Sequence, residues 1–128
     1  MALKPVEEFR GDTWLRAWAV RVDGNPIDIV GASARLHLKE NLDDDVPIFA
    51  VSTIPSAVGR IDLSVEAPSE KYANGRTIIA MRVEKETLET LIPKKKYYFD
   101  LEYTFADGTR RTYEQNILIL KKDATRDA

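Results

Sequence analysis

The residue types that most often carry catalysis are sparse in this chain. His37 is the only histidine, and there is no cysteine. A catalytic triad or a zinc site would require partners for His37 at suitable spacing, and the sequence supplies none. Alternation places His37 on the polar side of its strand, so we interpret it as an exposed structural residue. The sequence therefore predicts no catalytic, cofactor-binding or metal site, and no enzyme activity.

An acidic run follows the strand that carries His37. Asp43, Asp44 and Asp45, with Glu40 before them, supply the oxygen atoms that calcium prefers as ligands. Their spacing lacks the glycine and the distant glutamate of an EF-hand loop. We therefore favour a solvated loop over a calcium site. We also predict that the three aspartates, with Phe49 on the next strand, contact a neighbouring subunit.

Two short motifs are typical of binding sites but also have simpler structural explanations. Arg10-Gly11-Asp12 is a cell-adhesion tripeptide, but here it leads directly into a strand and is explained by a turn. Lys94-Lys95-Lys96 precedes Tyr97 and Tyr98, and basic residues beside aromatic ones can bind single-stranded nucleic acid. We favour solvated charge there. Contact of Lys94 and Lys95 with an acidic patch on a neighbouring subunit is the alternative.

Trp14 and Trp18 lie four residues apart on one predicted strand, and so they face the same way about 13 Å apart. We consider three roles for them: part of the core, anchors of a subunit interface, or a platform on which sugar rings stack. Arg16 lies between them and interrupts the tryptophan face, while the opposite side carries Leu15, Ala17 and Ala19. Both sides of this strand are therefore mostly apolar.

Composition limits the possible classes of protein. The 128 residues suit one domain, residues 1–128, with residues 1–4 and 122–128 expected to be flexible. A net charge of -2 argues against nucleic acid as a partner. Without cysteine the fold must be held by packing and strand pairing, which suits assembly inside a cell. No apolar run approaches the roughly eighteen residues of a membrane span, and we expect no membrane partner.

Short runs of alternating polarity, separated by turn formers, dominate the chain. They predict strands at residues 6–9, 13–22, 32–39, 48–53, 59–65 and 76–83. Residues 66–75 are the longest predicted loop, and residues 84–91 the only helix-like turn. Seven or eight strands with almost no helix indicate an antiparallel β-sandwich, with a closed barrel as the rival.

The clearest local signal is a hairpin near the C-terminus. Ala106-Asp107-Gly108-Thr109 separates two apolar runs, and glycine allows the positive φ that a tight turn requires. We expect Tyr97, Phe99, Leu101 and Tyr103 to face the core, with Ile117 and Ile119 packed beside them.

Several stretches of this chain resemble one known family in content and order. They are Gly11-Asp12-Thr13-Trp14, Asp23-Gly24-Asn25-Pro26-Ile27-Asp28-Ile29-Val30-Gly31-Ala32, Ala34-Arg35-Leu36-His37-Leu38, Tyr97-Tyr98-Phe99-Asp100-Leu101-Glu102 and Ala106-Asp107-Gly108. The chain resembles the small immunoglobulin-like proteins of tailed bacteriophages and prophages, which are similar to the N-terminal domains of baseplate upper proteins. It departs from the family pattern at Ile29-Val30, where Leu-Thr is usual, and at Phe99, where a second Tyr is usual.

This resemblance implies an immunoglobulin-like sandwich that acts as a virion structural protein in a tail, baseplate or capsid surface. It carries no catalytic residues to this chain. We therefore expect a non-enzymatic protein that is assembled in the bacterial cytoplasm and docks onto other phage structural proteins and onto copies of itself. The alternative is a carbohydrate-binding module for host recognition that uses Trp14 and Trp18.

Overall fold

A computed structural model describes residues 4–93 and 95–122. Within these ranges it contains eight β-strands and one short helix. The elements are β1 (Val6–Phe9), β2 (Trp14–Val20), β3 (Ser33–Lys39), β4 (Phe49–Ser52), β5 (Gly59–Glu66), β6 (Arg76–Val83), α1 (Lys85–Leu88), β7 (Lys96–Thr104) and β8 (Arg110–Lys121). The predicted all-β class is confirmed. No helix in the described ranges is long and apolar enough to cross a membrane.

The strands form two sheets. One has the order β1-β8-β7-β3-β4 and the other the order β2-β6-β5. All neighbouring strands are antiparallel except β1, which runs parallel to β8. With β2, β6 and β5 taken as strands B, E and D, this is the immunoglobulin arrangement, except that the first strand lies on the larger sheet. The prediction of a sandwich rather than a closed barrel is confirmed.

The core lies between the two sheets and follows the alternation of the strands. The β7 side chains expected to face inward are buried, namely Tyr97, Phe99, Leu101 and Tyr103. Leu36, Leu38 and Val51 come from β3 and β4, and Ile61, Ile79, Met81 and Val83 from the facing sheet. Trp14 of β2 meets Phe99 edge to face at 5.3 Å between ring centroids, so β2 lies opposite β7.

The β7–β8 hairpin closes as the Asp-Gly signal predicts. Phe105 N donates to Thr109 O at 2.8 Å and Gly108 N donates to Phe105 O at 2.9 Å. Gly108 has φ +91, and a Cβ built there meets no atom within 4 Å. Glycine is therefore favoured here by backbone conformation and not by lack of space.

A β-bulge changes which face of β8 points inward. Leu101 pairs with Glu114 while the next residue, Glu102, pairs with Thr112, so Tyr113 is the extra residue. A one-residue shift exchanges the two faces of a strand. Leu118 and Leu120 are consequently buried, and Ile117 and Ile119 lie on the other face. The prediction that those two isoleucines pack with the core is wrong.

The remaining elements and connections lie close to where the sequence predicted them. The strand predicted at residues 48–53 is observed as Phe49–Ser52, and it lies at a sheet edge because it pairs only with β3. The long loop runs over residues 67–75, because Glu66 still belongs to β5. The helical turn is shorter than residues 84–91 suggested. Thr77 of β6 anchors the connection between β2 and β3: its hydroxyl accepts from Ile27 N at 2.8 Å and donates to Ile27 O at 2.7 Å.

Candidate functional site

The two tryptophans of β2 have different environments although they share one face of the strand. Trp14 is 0% exposed and lies among core side chains. Trp18 is half-buried near the open side of the sandwich, where its Nε1 donates to Glu114 Oε1 at 2.8 Å. The pair therefore forms no exposed platform for sugar. The assignment of Trp14 to a subunit interface is also wrong, since its side chain is enclosed by its own domain.

Glu114 is the centre of a polar cluster between the sheets. Arg16 donates to both of its carboxylate oxygens, from Nε at 2.8 Å and from Nη2 at 2.6 Å. Asn116 Nδ2 donates to Glu114 Oε2 at 3.1 Å and to Lys4 O at 3.2 Å. The Arg16 guanidinium also lies 5.6 Å from the Trp18 ring centroid. The bulge at Tyr113 brings Glu114 and Asn116 to the inner face, which is why their role could not be predicted from alternation.

The carboxyl groups of Glu114 and Glu8 have different electrostatic environments. Burial of the Glu114 carboxyl opposes its ionisation, but hydrogen bonds from Arg16, Trp18 and Asn116 outweigh it and lower its pKa below 4.5. Glu8 of β1 behaves differently. Burial and the nearby Asp12 raise the pKa of Glu8, and Arg16 only partly offsets them. The cluster thus holds Glu114 as a bonded anion and leaves Glu8 in a less favourable environment.

A groove of about 440 Å³ lies beside this cluster. It is lined by Arg16 and Trp18 from β2 and by Thr112, Tyr113, Glu114 and Gln115 from β8. The groove thus lies between β2 of the smaller sheet and β8 of the larger one. It joins half-buried charge to an aromatic surface.

The acidic loop and the basic corner lie at one end of the sandwich. Asp43 and Asp45 are exposed, and Asp44 Oδ2 accepts from Asn41 N at 3.0 Å. Lys95 Nζ forms an ion pair with Glu40, which joins the two loops. These side chains remain candidates for docking, whereas Lys94 lies outside the described residues.

Phe49 does not share the exposure of the acidic loop. It is only 8% exposed because its side of β4 faces the core. Its assignment to a docking surface is therefore wrong. A four-residue strand gives too few alternations for the sequence to show which side faces inward.

His37 is far from the inter-sheet cluster in the sheet order. It lies on the outer face of β3, paired with Ala50 of β4 and Asp100 of β7. Partial burial, together with the nearby Arg35, lowers its pKa below 6.5. Among the described residues, no group of three histidine, aspartate or glutamate side chains is placed to hold a metal ion.

The Arg10-Gly11-Asp12 motif forms a turn, as its position suggested. Asp12 N donates to Phe9 O at 3.1 Å, and Gly11 is buried. The chain then enters β2 at Trp14. The tripeptide is therefore part of the connection between the two sheets.

The outer face of the smaller sheet is apolar along β2 and the adjoining part of β6. Leu15 is 63% exposed, and Ala17 and Ala19 on the same side of β2 are exposed too. Ala17 pairs with Ala80, and Ala19 pairs with Ile78. This face, which we call the alanine face, is defined by Leu15, Ala17, Ala19, Ile78 and Ala80. The sequence signals it through the second apolar side of the β2 pattern, although its solvent exposure follows from the absence of a covering layer in the described residues.

Comparison of the chain with protein-family models, curated proteins and solved structures finds no match.

Proposed function

We propose that this protein is a non-enzymatic structural protein of a tailed-phage virion that works by docking onto other proteins. Its place is the tail, the baseplate or the capsid surface, and its partners are other phage structural proteins and copies of itself. Assembly takes place in the cytoplasm of the host bacterium. The observation that carries the docking function is the alanine face, an exposed apolar surface on a chain in which 31% of residues are charged.

The shape and chemistry of the alanine face favour contact with protein. Small side chains on a sheet leave a flat surface, and Leu15 provides one larger apolar group at its margin. Contiguous exposed apolar surface marks interaction sites in soluble proteins. Arg82 and Arg60 lie in register with Leu15 at one side of the face, giving the apolar centre and charged margin typical of a protein interface.

The inter-sheet cluster supports a structural role over a catalytic one. The carboxylate of Glu114 accepts hydrogen bonds from three side chains, and its lowered pKa keeps it ionised at neutral pH. A general acid requires a raised pKa and access to a substrate proton. Glu114 therefore acts as the anionic partner of Arg16 in an ion pair that holds the two sheets together.

The sequence motifs shared with phage immunoglobulin-like proteins support the virion assignment. Gly11-Asp12-Thr13-Trp14 leads into β2, and the Asp107-Gly108 turn joins β7 to β8. Tyr103 Oη donates to Asp28 O at 2.8 Å, so the first long turn motif is bound to the closing hairpin. The motifs therefore belong to one connected scaffold.

The proposal is tested by mass spectrometry of purified virions together with the solution mass of the isolated protein. We expect the protein in virions in a stoichiometry that matches a symmetric assembly. Its absence from purified particles would contradict a virion role.

A pair of variants tests the surface. Leu15→Glu places a charge on the alanine face, whereas Ala50→Glu places one on the exposed outer side of β4, in the other sheet. Both should fold, because both positions are exposed. Only Leu15→Glu should reduce incorporation into particles, and equal incorporation of the two variants would exclude the alanine face as the docking surface.

A further inference from the structure

The free edge of β2 is an unprotected strand edge. β2 is the last strand of its sheet and pairs only with β6. Within residues 4–93 and 95–122, its backbone makes no hydrogen bond outside that ladder. Along this seven-residue strand, the N–H and C=O groups of alternate residues point away from β6 and are therefore available on the free side. Such an edge is a template for another strand.

The other three sheet edges carry the features by which proteins prevent unwanted pairing. β4 is four residues long. β1 is equally short, follows Pro5, and directs Glu7 outward, where it pairs with Lys121 at 3.7 Å. β5 presents Arg60 and Asp62 on its outer side. Short strands, proline and charged side chains all discourage strand addition. On its exposed side β2 has only Leu15, Ala17 and Ala19.

The larger sheet extends past β2 and limits what can approach its edge. Trp14 of β2 packs against Phe99 of β7, whereas β8 and β1 lie beyond β7 in the sheet order. Because Arg16 and Trp18 of β2 also donate to Glu114 of β8, β2 faces both β7 and β8, and β1 overhangs the smaller sheet by one strand spacing, about 5 Å. A second copy that paired through its own β2 would bring its larger sheet into this overhang. A single extended segment fits beneath it, where the immunoglobulin arrangement has its first strand.

We call the position beside the free edge of β2 the strand slot. The residues on its inner side favour a positively charged side chain in an incoming strand. The Nε and Nη2 groups of Arg16 already donate to Glu114. Glu8, on the overhanging β1, is half-buried near Arg16 and Asp12 and forms no ion pair with the described residues. A lysine or arginine from an incoming strand would provide the missing counter-charge. On the outer side, small apolar residues would extend the alanine face.

We propose that β2 accepts an extended strand from a partner protein, with small apolar residues facing outward and a basic residue facing Glu8. Strand addition of this kind derives affinity from main-chain hydrogen bonds and specificity from alternate side chains. The incoming strand completes the smaller sheet as its fourth member and covers the groove beside Trp18. This inference deepens the proposed docking function by naming the partner segment and its chemistry.

The test uses engineered cysteines, because the chain has none of its own. Ala17→Cys lies on the exposed side of β2, and Ser64→Cys is the matched control on β5. The probes are synthetic peptides of about ten residues, the length of a strand. Each peptide alternates valine and threonine, and one of its threonines is replaced by lysine. In the valine-position peptide a valine is also replaced by cysteine, and in the threonine-position peptide a threonine is. Neighbouring strands lie within the Cα separation that a disulfide requires.

In a redox buffer, Ala17→Cys should capture the valine-position peptide roughly tenfold better than the threonine-position peptide. It should also exceed Ser64→Cys by a similar factor, and capture should slow hydrogen exchange along β2. Replacing the peptide lysine by glutamate should reduce capture, and Glu8→Gln should remove that difference. Equal capture at both cysteines, or no dependence on peptide position, would overturn the inference. Doubling of the solution mass without peptide, together with slowed hydrogen exchange along β2, would instead identify a second copy as the occupant and would also overturn it.

This experiment and the virion analysis fail independently. A protein that is present in virions but captures no peptide would retain the proposed function and lose the strand slot. A protein that captures peptide but is absent from virions would retain the slot and lose the virion role.

Discussion

Replacing Glu114 by glutamine tests whether the inter-sheet cluster stabilises the fold. Glutamine has nearly the same shape but no charge, and its amide group cannot accept both donors of Arg16. The carboxylate now accepts hydrogen bonds from Arg16, Trp18 and Asn116 at 2.6 to 3.1 Å. The substitution therefore removes an ion pair and leaves donors in a half-buried site.

The expected magnitude follows from the exposure of the pair. The side chains of Arg16 and Glu114 are 30% and 12% exposed. Breaking a fully buried pair costs about 3–5 kcal/mol, whereas an exposed pair contributes about 0–1 kcal/mol. Water can still reach part of the Arg16 guanidinium, so we expect Glu114→Gln to reduce the free energy of unfolding by about 2 kcal/mol. For a domain of this size that lowers Tm by roughly 7 °C.

The pH dependence gives a second, independent readout. The pKa of Glu114 is lower in the folded protein than its ordinary value of 4.5. Its stabilising contribution is therefore complete above the unfolded pKa and is lost as pH falls through the folded pKa. The stability difference between the wild type and Glu114→Gln should persist from pH 7 to about pH 5 and narrow below about pH 4.

Urea unfolding at several pH values measures both effects. The matched control is Glu7→Gln, which affects an exposed ion pair with Lys121 and should change the free energy of unfolding by less than about 0.5 kcal/mol. A double-mutant cycle with Arg16→Met isolates the coupling between Arg16 and Glu114. If Glu114→Gln were as stable as Glu7→Gln at pH 7, or if the difference did not narrow in acid, the stabilising role of the cluster would be refuted.

Substitutions at four further positions test other parts of the molecule. Gly108→Val should cost about 1–2 kcal/mol because φ is +91 at an otherwise open position, and Gly108→Asn should cost less; equal unfolding midpoints in urea would contradict the turn argument. Thr77→Val should cost about 2–4 kcal/mol because it leaves the buried N–H and C=O of Ile27 without the threonine hydroxyl, whereas Thr77→Ser should recover most of that loss in the same assay. Asp44→Lys or Lys95→Glu should change Tm by only a few degrees, since both side chains form at most exposed ion pairs or hydrogen bonds. Under the proposed function, each substitution should reduce incorporation of the protein into particles. Normal incorporation would show that the loops at this end of the sandwich are not part of the docking surface.

Much of the fold could be predicted from local patterns. The alternation of β3 and β7 correctly separated core residues from solvent-facing ones, as Leu36 and Phe99 show. These strands have one polar and one apolar side, so burial has a single solution for each of them. The Asp107-Gly108 turn was equally informative, because few residues adopt the backbone conformation that it requires.

The candidate surfaces were much less predictable. In the run from Asn116 to Leu120 both faces of the strand are largely apolar, and the bulge at Tyr113 determined that Leu118 and Leu120 face inward. A bulge depends on pairing with another strand and leaves no clear mark in the alternation of one. The same bulge placed Glu114 beside Arg16, a contact between residues 98 positions apart.

By itself, the sequence determined where strands lie along the chain, the tight turn, and which side of each one-sided strand faces inward. These features depend on backbone preferences and on the separation of apolar from polar groups. Only the tertiary structure decided why Trp14 is enclosed while Trp18 borders a groove. One tryptophan lies opposite Phe99 and the other lies beside Glu114, near the margin where a five-stranded sheet overhangs a three-stranded one. Two residues of the same type on the same side of one strand therefore have different roles, because burial depends on what the facing sheet places above each of them.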